Sequence, residues 1–139
     1  MSDYDALKLE NQLCFPLYAC AKEITRRYKP FLDRIGLTYT QYITMMVLWE
    51  KGELSVKELG ESLYLDSGTL TPLLKRLEQK GLLTRKRSER DERSLEVRIT
   101  KEGTKLRDLA LTIPRDMGDC IKLTREEFRT LYSLLYKTL

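Results

Sequence analysis

The side chains most able to do chemistry in this chain are three thiols, Cys14, Cys20 and Cys120. Histidine is absent. That removes Ser-His-Asp and Cys-His nucleophile chemistry together with every His-ligated metal site. No C-x-x-C pair occurs, so a structural zinc site is not expected, and no metal or other cofactor is assigned. An odd, sparse set of cysteines argues against a disulfide framework. Hydrolase chemistry is thereby set aside, and the chain is not expected to be an enzyme. Cys14 stands out by its surroundings. It lies in the apolar run "LENQLCFPLY", with Tyr18 at i+4 on the same helix face. A reacting thiol must be a thiolate. Without histidine, tyrosine hydroxyls are the groups that can hydrogen-bond to one.

A second kind of chemistry lies further on. "DSGTLTPLLKRLEQKG" places Leu70, Leu73, Leu74 and Leu77 on one helix face. The opposite face carries Ser67, Thr69, Thr71, Pro72, Lys75 and Gln79. Small hydroxyls near a helix N-terminus suit phosphates and base edges in a major groove. The run "RKRSERDERSLEVR" follows. Its Arg85, Lys86, Arg87, Arg90, Arg93 and Arg98 stand against Glu89, Asp91, Glu92 and Glu96. An arginine-bearing tip can reach the backbone or the narrow minor groove. The plainer reading is a solvated turn whose acids neutralise its own arginines, with Asp91 pairing with Arg93. The net charge is only +4, so a nucleic-acid surface requires basic residues concentrated in this way.

These groups need elements to hold them. The 139 residues are 42% hydrophobic and 33% charged, which fits one globular domain with a sizeable core. No apolar run approaches the roughly 20 residues that span a membrane. The opening "MSDYDALKLE" is acidic and mixed, unlike a secretory leader. A cytoplasmic protein without membrane contact is expected. Apolar spacing predicts a long helix over 7–35, bent near Pro16 and stopped at Gly36. Three capping boxes, each with a hydrophobic staple, mark helix starts at Thr38/Gln41, Ser55/Glu58 and Thr124/Glu127. A short helix covers 55–63, and another runs from about Asp66 to Lys80, with Pro72 disturbing its first turn. Strands are expected over 82–87 and 94–100, joined by the charged tip. A helix from Thr100 to about Thr112 is interrupted or restarted at Pro114.

Short helix, tight connection, second helix and hairpin make a winged helix-turn-helix over 38–100. The fold class is mainly α with a small β-hairpin wing. The candidate DNA-reading residues are Asp66, Ser67, Thr69, Thr71, Pro72, Lys75 and Arg76 on the helix. On the wing they are Arg85, Lys86, Arg87, Arg90, Asp91 and Arg93. The terminal helices, 7–35 and 101–139, have no role in reading DNA, yet they carry apolar stripes. A homodimer built through them would bury the stripes and present two recognition helices to a pseudo-palindromic, double-stranded site.

The whole chain resembles the MarR family of winged-helix regulators. "LENQLCFPLYACAKEITRRYKPFLDRIGLTYTQYITMMVLWE" resembles the N-terminal signature of its organic hydroperoxide resistance branch, and "LDSGTLTPLLKRLEQKGLLTRKRSERDERSLEVRIT" its recognition helix and wing. The resemblance implies a homodimeric repressor that leaves its operator when Cys14 is oxidised by organic hydroperoxides. It implies Tyr18, Tyr28 and Tyr39 as the tyrosines around that thiol. Tyr28 is at i+14 from Cys14, about 21 Å along one helix. An antiparallel partner helix could supply it, with Tyr39, so the site is expected to be shared between subunits. Aromatic packing alone is the plainer alternative for all three. In the resembled branch, members with a C-terminal cysteine form a disulfide between subunits, and Cys120 is the candidate resolving thiol. Otherwise Cys120 is an incidental free thiol. Cys20 points away from Cys14 and reads as a packing residue. Low-molecular-weight or protein thiols would restore the reduced state. The competing possibility is a repressor of the same type released by a small aromatic ligand in the interface cleft.

Overall fold

A computed structural model describes residues 2–91 and 93–139. Glu92, one of the acids counted in the wing, lies outside the described residues. Two 3-10 turns, Asp3–Leu7 and Leu9–Asn11, precede α1 (Cys14–Asp33) and α2 (Tyr39–Lys51). Strand β1 (Glu53–Ser55) leads into α3 (Val56–Leu63) and α4 (Ser67–Gln79). The wing strands are β2 (Leu83–Arg87) and β3 (Leu95–Ile99), and α5 (Lys101–Ala110), α6 (Ile113–Gly118) and α7 (Arg125–Lys137) complete the chain.

The helix expected over 7–35 begins only at Cys14. Side-chain amides explain the delay. Gln12 Nε2 donates to the carbonyls of Ala6 and Lys8, and Asn11 Nδ2 to that of Asp5. Carbonyls that a continuous helix would offer to amides four residues on are thus already occupied. Pro16 becomes the third residue of α1, inside the first turn, where a missing N–H costs nothing. The expected bend at Pro16 is replaced by this later start.

Thr38 and Thr124 form full reciprocal capping boxes with Gln41 and Glu127. Ser55 makes the forward half, accepting the Glu58 amide. Asp66 caps α4 by accepting the Thr69 amide at 2.8 Å. The helix runs unbroken through Pro72, so the disturbance expected in its first turn is not present. At its end Gly81 takes a positive φ of 77°. The helix after Thr100 ends at Ala110 and α6 opens with Pro114 in its first turn, so the proline restarts the path.

The sheet has three strands rather than two, in the order β1-β3-β2 and antiparallel throughout. Leu54 pairs with Val97 and Arg85 with Val97 from the other side. Arg98 and Glu53 bridge β3 and β1 at 2.9 Å. Between sheet and helices lies one core, where Met45, Leu48, Leu59, Leu70, Leu74, Leu77, Leu83 and Val97 are fully buried. It fastens the leucine face of α4, which fixes where the opposite face points. Gly103 lets α5 approach this core. A Cβ there would lie 2.3 Å from the Leu82 carbonyl oxygen. None of the described helices is long and apolar enough to cross a membrane.

Candidate functional site

Cys14 is the first residue of α1 and is exposed. The amides of a helix's first turn have no helical acceptors, and a negative charge is favoured beside them. Apolar side chains surround it in sequence and lie open: Leu13, Phe15, Leu17 and Tyr18. Tyr18 is 64% exposed and presents its ring outward beside the thiol's face of the helix.

The other predicted tyrosines gather at the far end of α1. The rings of Tyr28 and Tyr39 lie 4.9 Å apart between centroids. Tyr42 joins them at 5.8 and 6.5 Å, with Trp49 behind it at 6.2 Å. Burial pushes the Tyr28 hydroxyl above its ordinary range, helped by Tyr39, and burial alone does the same to Tyr39. Tyr42 is pushed up to about 12, by burial first and then by its two neighbours. All three hydroxyls therefore stay protonated as donors at neutral pH. Tyr42 follows directly on the Thr38/Gln41 capping box, and no spacing signal in the sequence sets it apart as a member of this cluster.

Cys120 follows α6 and is partly exposed. Its thiol donates to the Asp116 carbonyl at 3.4 Å, while its own carbonyl accepts Arg27 Nη1 at 3.2 Å. Arg34 reaches the Asp116 carboxylate at 3.4 Å. Arg27 of α1 and Arg34, the residue that caps its C-terminus, thus hold the Cys120 segment against the C-terminal half of that helix. Arg27 is anchored in turn by Glu23, whose carboxyl is held down at about 2, chiefly by its hydrogen bond from Arg26. The structure brings Tyr28 and Tyr39 together and places Cys120 on the same half of α1. It leaves Cys14 at the opposite end, about 20 Å from Arg27 along the axis, with Tyr18 one turn further in at about 14 Å. Cys20 is exposed rather than packed within the chain, because its position lies outside the stretch of α1 that meets α2 and α6.

On α4 the residues Ser67, Thr69, Thr71, Pro72, Lys75 and Arg76 are all exposed. Asp66 is occupied as the cap, and its carboxyl is lowered by the Thr69 amide. Thr71 returns its hydroxyl hydrogen to the Ser67 carbonyl at 2.8 Å. In the wing, Lys86, Arg87, Arg90, Asp91 and Arg93 are exposed. Asp91 accepts the backbone amide of Arg93 at 3.0 Å; the turn, rather than a guanidinium–carboxylate pair, aims Arg93. Arg85 differs from the rest. Its amide and guanidinium both engage Glu78, at 3.0 and 3.1 Å, and it sits at the junction of wing and helix. A cleft lined by Tyr64, Ser67, Leu70, Asp91 and Arg93 separates the helix-turn-helix from the wing.

The last helix has no buried residue. Phe128, Leu131, Tyr132, Leu134, Leu135 and Tyr136 are open along it. Among the described residues, no group of three or more His, Cys, Asp or Glu could hold a metal ion.

Residues 26–109 match the family model described as transcriptional regulator SarA/Rot. The organic hydroperoxide resistance transcriptional regulator of Bacillus subtilis is 52% identical over 136 residues, covering 98% of this chain and 92% of the relative. Among solved structures, reduced AbfR bound to DNA superposes with a TM-score of 0.81 at 32% identity, over 99% of this chain and 96% of that one. AbfR comes from Staphylococcus epidermidis. Its disulfide-formed structure superposes with a TM-score of 0.64 at 33% identity, over 96% and 91% of the two chains.

Proposed function

The chain belongs to the MarR family of winged-helix transcriptional regulators, in its organic hydroperoxide resistance branch, and we propose that it is a thiol-sensing repressor that binds operator DNA as a homodimer. One observation carries the reading. Cys14 and Tyr18 stand at one end of α1, while Tyr28, Tyr39 and Cys120 stand at the other. Two α1 helices crossing antiparallel at a dimer interface place each end against its complement. The open apolar stripes of α1 and α7 supply the surface for that contact. Each sensor is then completed by the partner, and the two α4 helices face one side of the dimer.

The chemistry is a two-electron oxidation. The Cys14 thiolate attacks the distal oxygen of an organic hydroperoxide. An S–O bond forms, the O–O bond breaks, and the alcohol leaves with a proton, so that Cys14 becomes a sulfenic acid. Protonated hydroxyls of Tyr28 and Tyr39 from the partner, with Tyr18 from the same chain, donate to the thiolate and to the leaving oxygen. The apolar run from Leu13 to Leu17 suits the organic part of the oxidant. Cys120 of the partner then attacks the sulfenic sulfur, an S–S bond forms and water leaves. Low-molecular-weight or protein thiols reverse the step and become a disulfide themselves. To reach Cys14, Cys120 must give up the bonds that hold its segment to α1, and rigid helices turn that local change into a rotation of the winged domains. On the DNA side, exposed Lys75 and the wing arginines engage phosphates, and Ser67, Thr69 and Thr71 face base edges. The superposition is better on the reduced, DNA-bound AbfR than on its disulfide form, which supports reading the described conformation as the DNA-competent one.

The apolar hollow within one chain that touches the tyrosine cluster, lined by Tyr42, Met46, Trp49 and Leu111 among others, has a volume of about 190 Å³. Pockets for small organic ligands begin at about 300 Å³, so a ligand-released repressor would have to hold its ligand in the cleft between two chains. A non-reducing gel of peroxide-treated protein tests the sensing step. Wild-type chains should run as linked dimers, while C14S and C120S homodimers should not. A mixed C14S/C120S heterodimer should regain one link. Absence of any Cys120-dependent dimer band overturns the two-cysteine mechanism.

A further inference from the structure

The C-terminal end of α4 is tied to the rest of the molecule in two directions by residues two apart. Glu78 accepts both the amide and the guanidinium of Arg85, so helix and wing share a clasp. Lys80 reaches the other way. Its ammonium donates to the Gly36 carbonyl and, at 3.3 Å, to Gln41 Oε1. Gln41 is buried, and the same oxygen accepts the Thr38 amide that closes the α2 cap. Tyr39 and Tyr42 stand two positions before and one position after Gln41 on that first turn, and Gly36 turns the connection between α1 and α2 with a φ of 68°. One cation therefore joins the recognition helix to the corner that carries two members of the tyrosine cluster.

We propose that Lys80 is a positioning residue that couples the tyrosine cluster to the recognition helix. The inference rests on the sensing reading above. Both acceptors of Lys80 belong to the α1–α2 corner, so a displacement of the first turn of α2 moves them together. An ammonium with three donors follows both. The leucine face of α4 sets the helix against the common core, and Lys80 adds a directional link from its C-terminal end to the α1–α2 corner. Through the Glu78–Arg85 clasp the wing travels with α4 as one unit. The consequence is that a change felt at Tyr39 reaches base-reading and wing residues through Lys80 and the Glu78–Arg85 clasp.

The test compares wild-type, K80M and K80R proteins. Binding to a fluorescent operator duplex is measured at one salt concentration, before and after stoichiometric oxidation with an organic hydroperoxide. The readout is the ratio of reduced to oxidised affinity, which removes any direct contribution of the Lys80 charge to DNA binding. K80M should lower this ratio by at least about 5-fold, the lower end of ordinary allosteric coupling. K80R, which keeps the donors, should retain the wild-type ratio. A wild-type ratio in K80M, or a K80R ratio as low as that of K80M, overturns the role of Lys80. So does a reduced K80M protein that no longer binds, since Lys80 would then serve binding itself. Wild-type protein that keeps its DNA after oxidation overturns the sensing reading instead, which separates the two failures.

Discussion

At the scale of single residues, the tyrosines of the cluster make the most direct physical statement. Tyr28, Tyr39 and Tyr42 are held protonated by burial, and Tyr42 titrates only at about 12. An unfolded tyrosine titrates near 10. The folded state therefore holds these protons more tightly than the unfolded state does. The stability this contributes is fully present below pH 10 and is lost as the pH rises from there towards 12. Phenolate absorbance should show at least three tyrosines titrating late, and thermal melts should fall over the same interval. Three tyrosines ionising together near pH 10 while the fold persists would contradict the burial of the cluster. Function asks for the same protonation, because only a neutral hydroxyl can donate to a thiolate.

At the scale of elements, two predictions concern what places the helices. Gly103→Ala sets a methyl 2.3 Å from the Leu82 carbonyl, whereas at Gly118 a methyl meets nothing within 4 Å. Denaturant unfolding should show the first variant destabilised by about 1–3 kcal/mol, and the second unchanged or more stable by a few tenths. Equal effects would mean that α5 does not approach the core through Gly103. Lys75→Ala removes an exposed cation from α4, so affinity should fall across all DNA sequences and the slope of log K against log salt should drop by about 1. A loss confined to one sequence would place Lys75 on a base instead. Much at this scale was legible beforehand. Capping boxes gave the starts of α2 and α7 because reciprocal side-chain bonds are local, and the leucine spacing gave the buried face of α4. What escaped was settled by other forces. Strand β1 is three residues long and exists because β3 offers an edge to Glu53–Ser55. The late start of α1 depends on where the Gln12 amide turns. The roles of Arg85, Tyr42 and Lys80 depend on partners 7, 14 and 44 residues away, and no periodicity reports such a contact.

At the scale of the whole molecule, the open apolar length of α7 and the proposed sharing of the sensor both call for a second copy. Sedimentation should find a dimer in the reduced protein. Leu131→Glu, on the exposed stripe of α7, should give monomers that bind operator DNA far more weakly; a dimer unaffected by that charge would move the interface elsewhere. The link between oxidation and DNA is the central claim, and one titration tests it most directly. Fluorescence anisotropy of an operator duplex is followed with reduced protein at fixed salt, then after one equivalent of an organic hydroperoxide, then after excess dithiol, with C14S alongside. The account predicts release on oxidation, full recovery with dithiol, and no release in C14S. A wild-type complex that survives oxidation, or a C14S complex that releases like wild type, would contradict it.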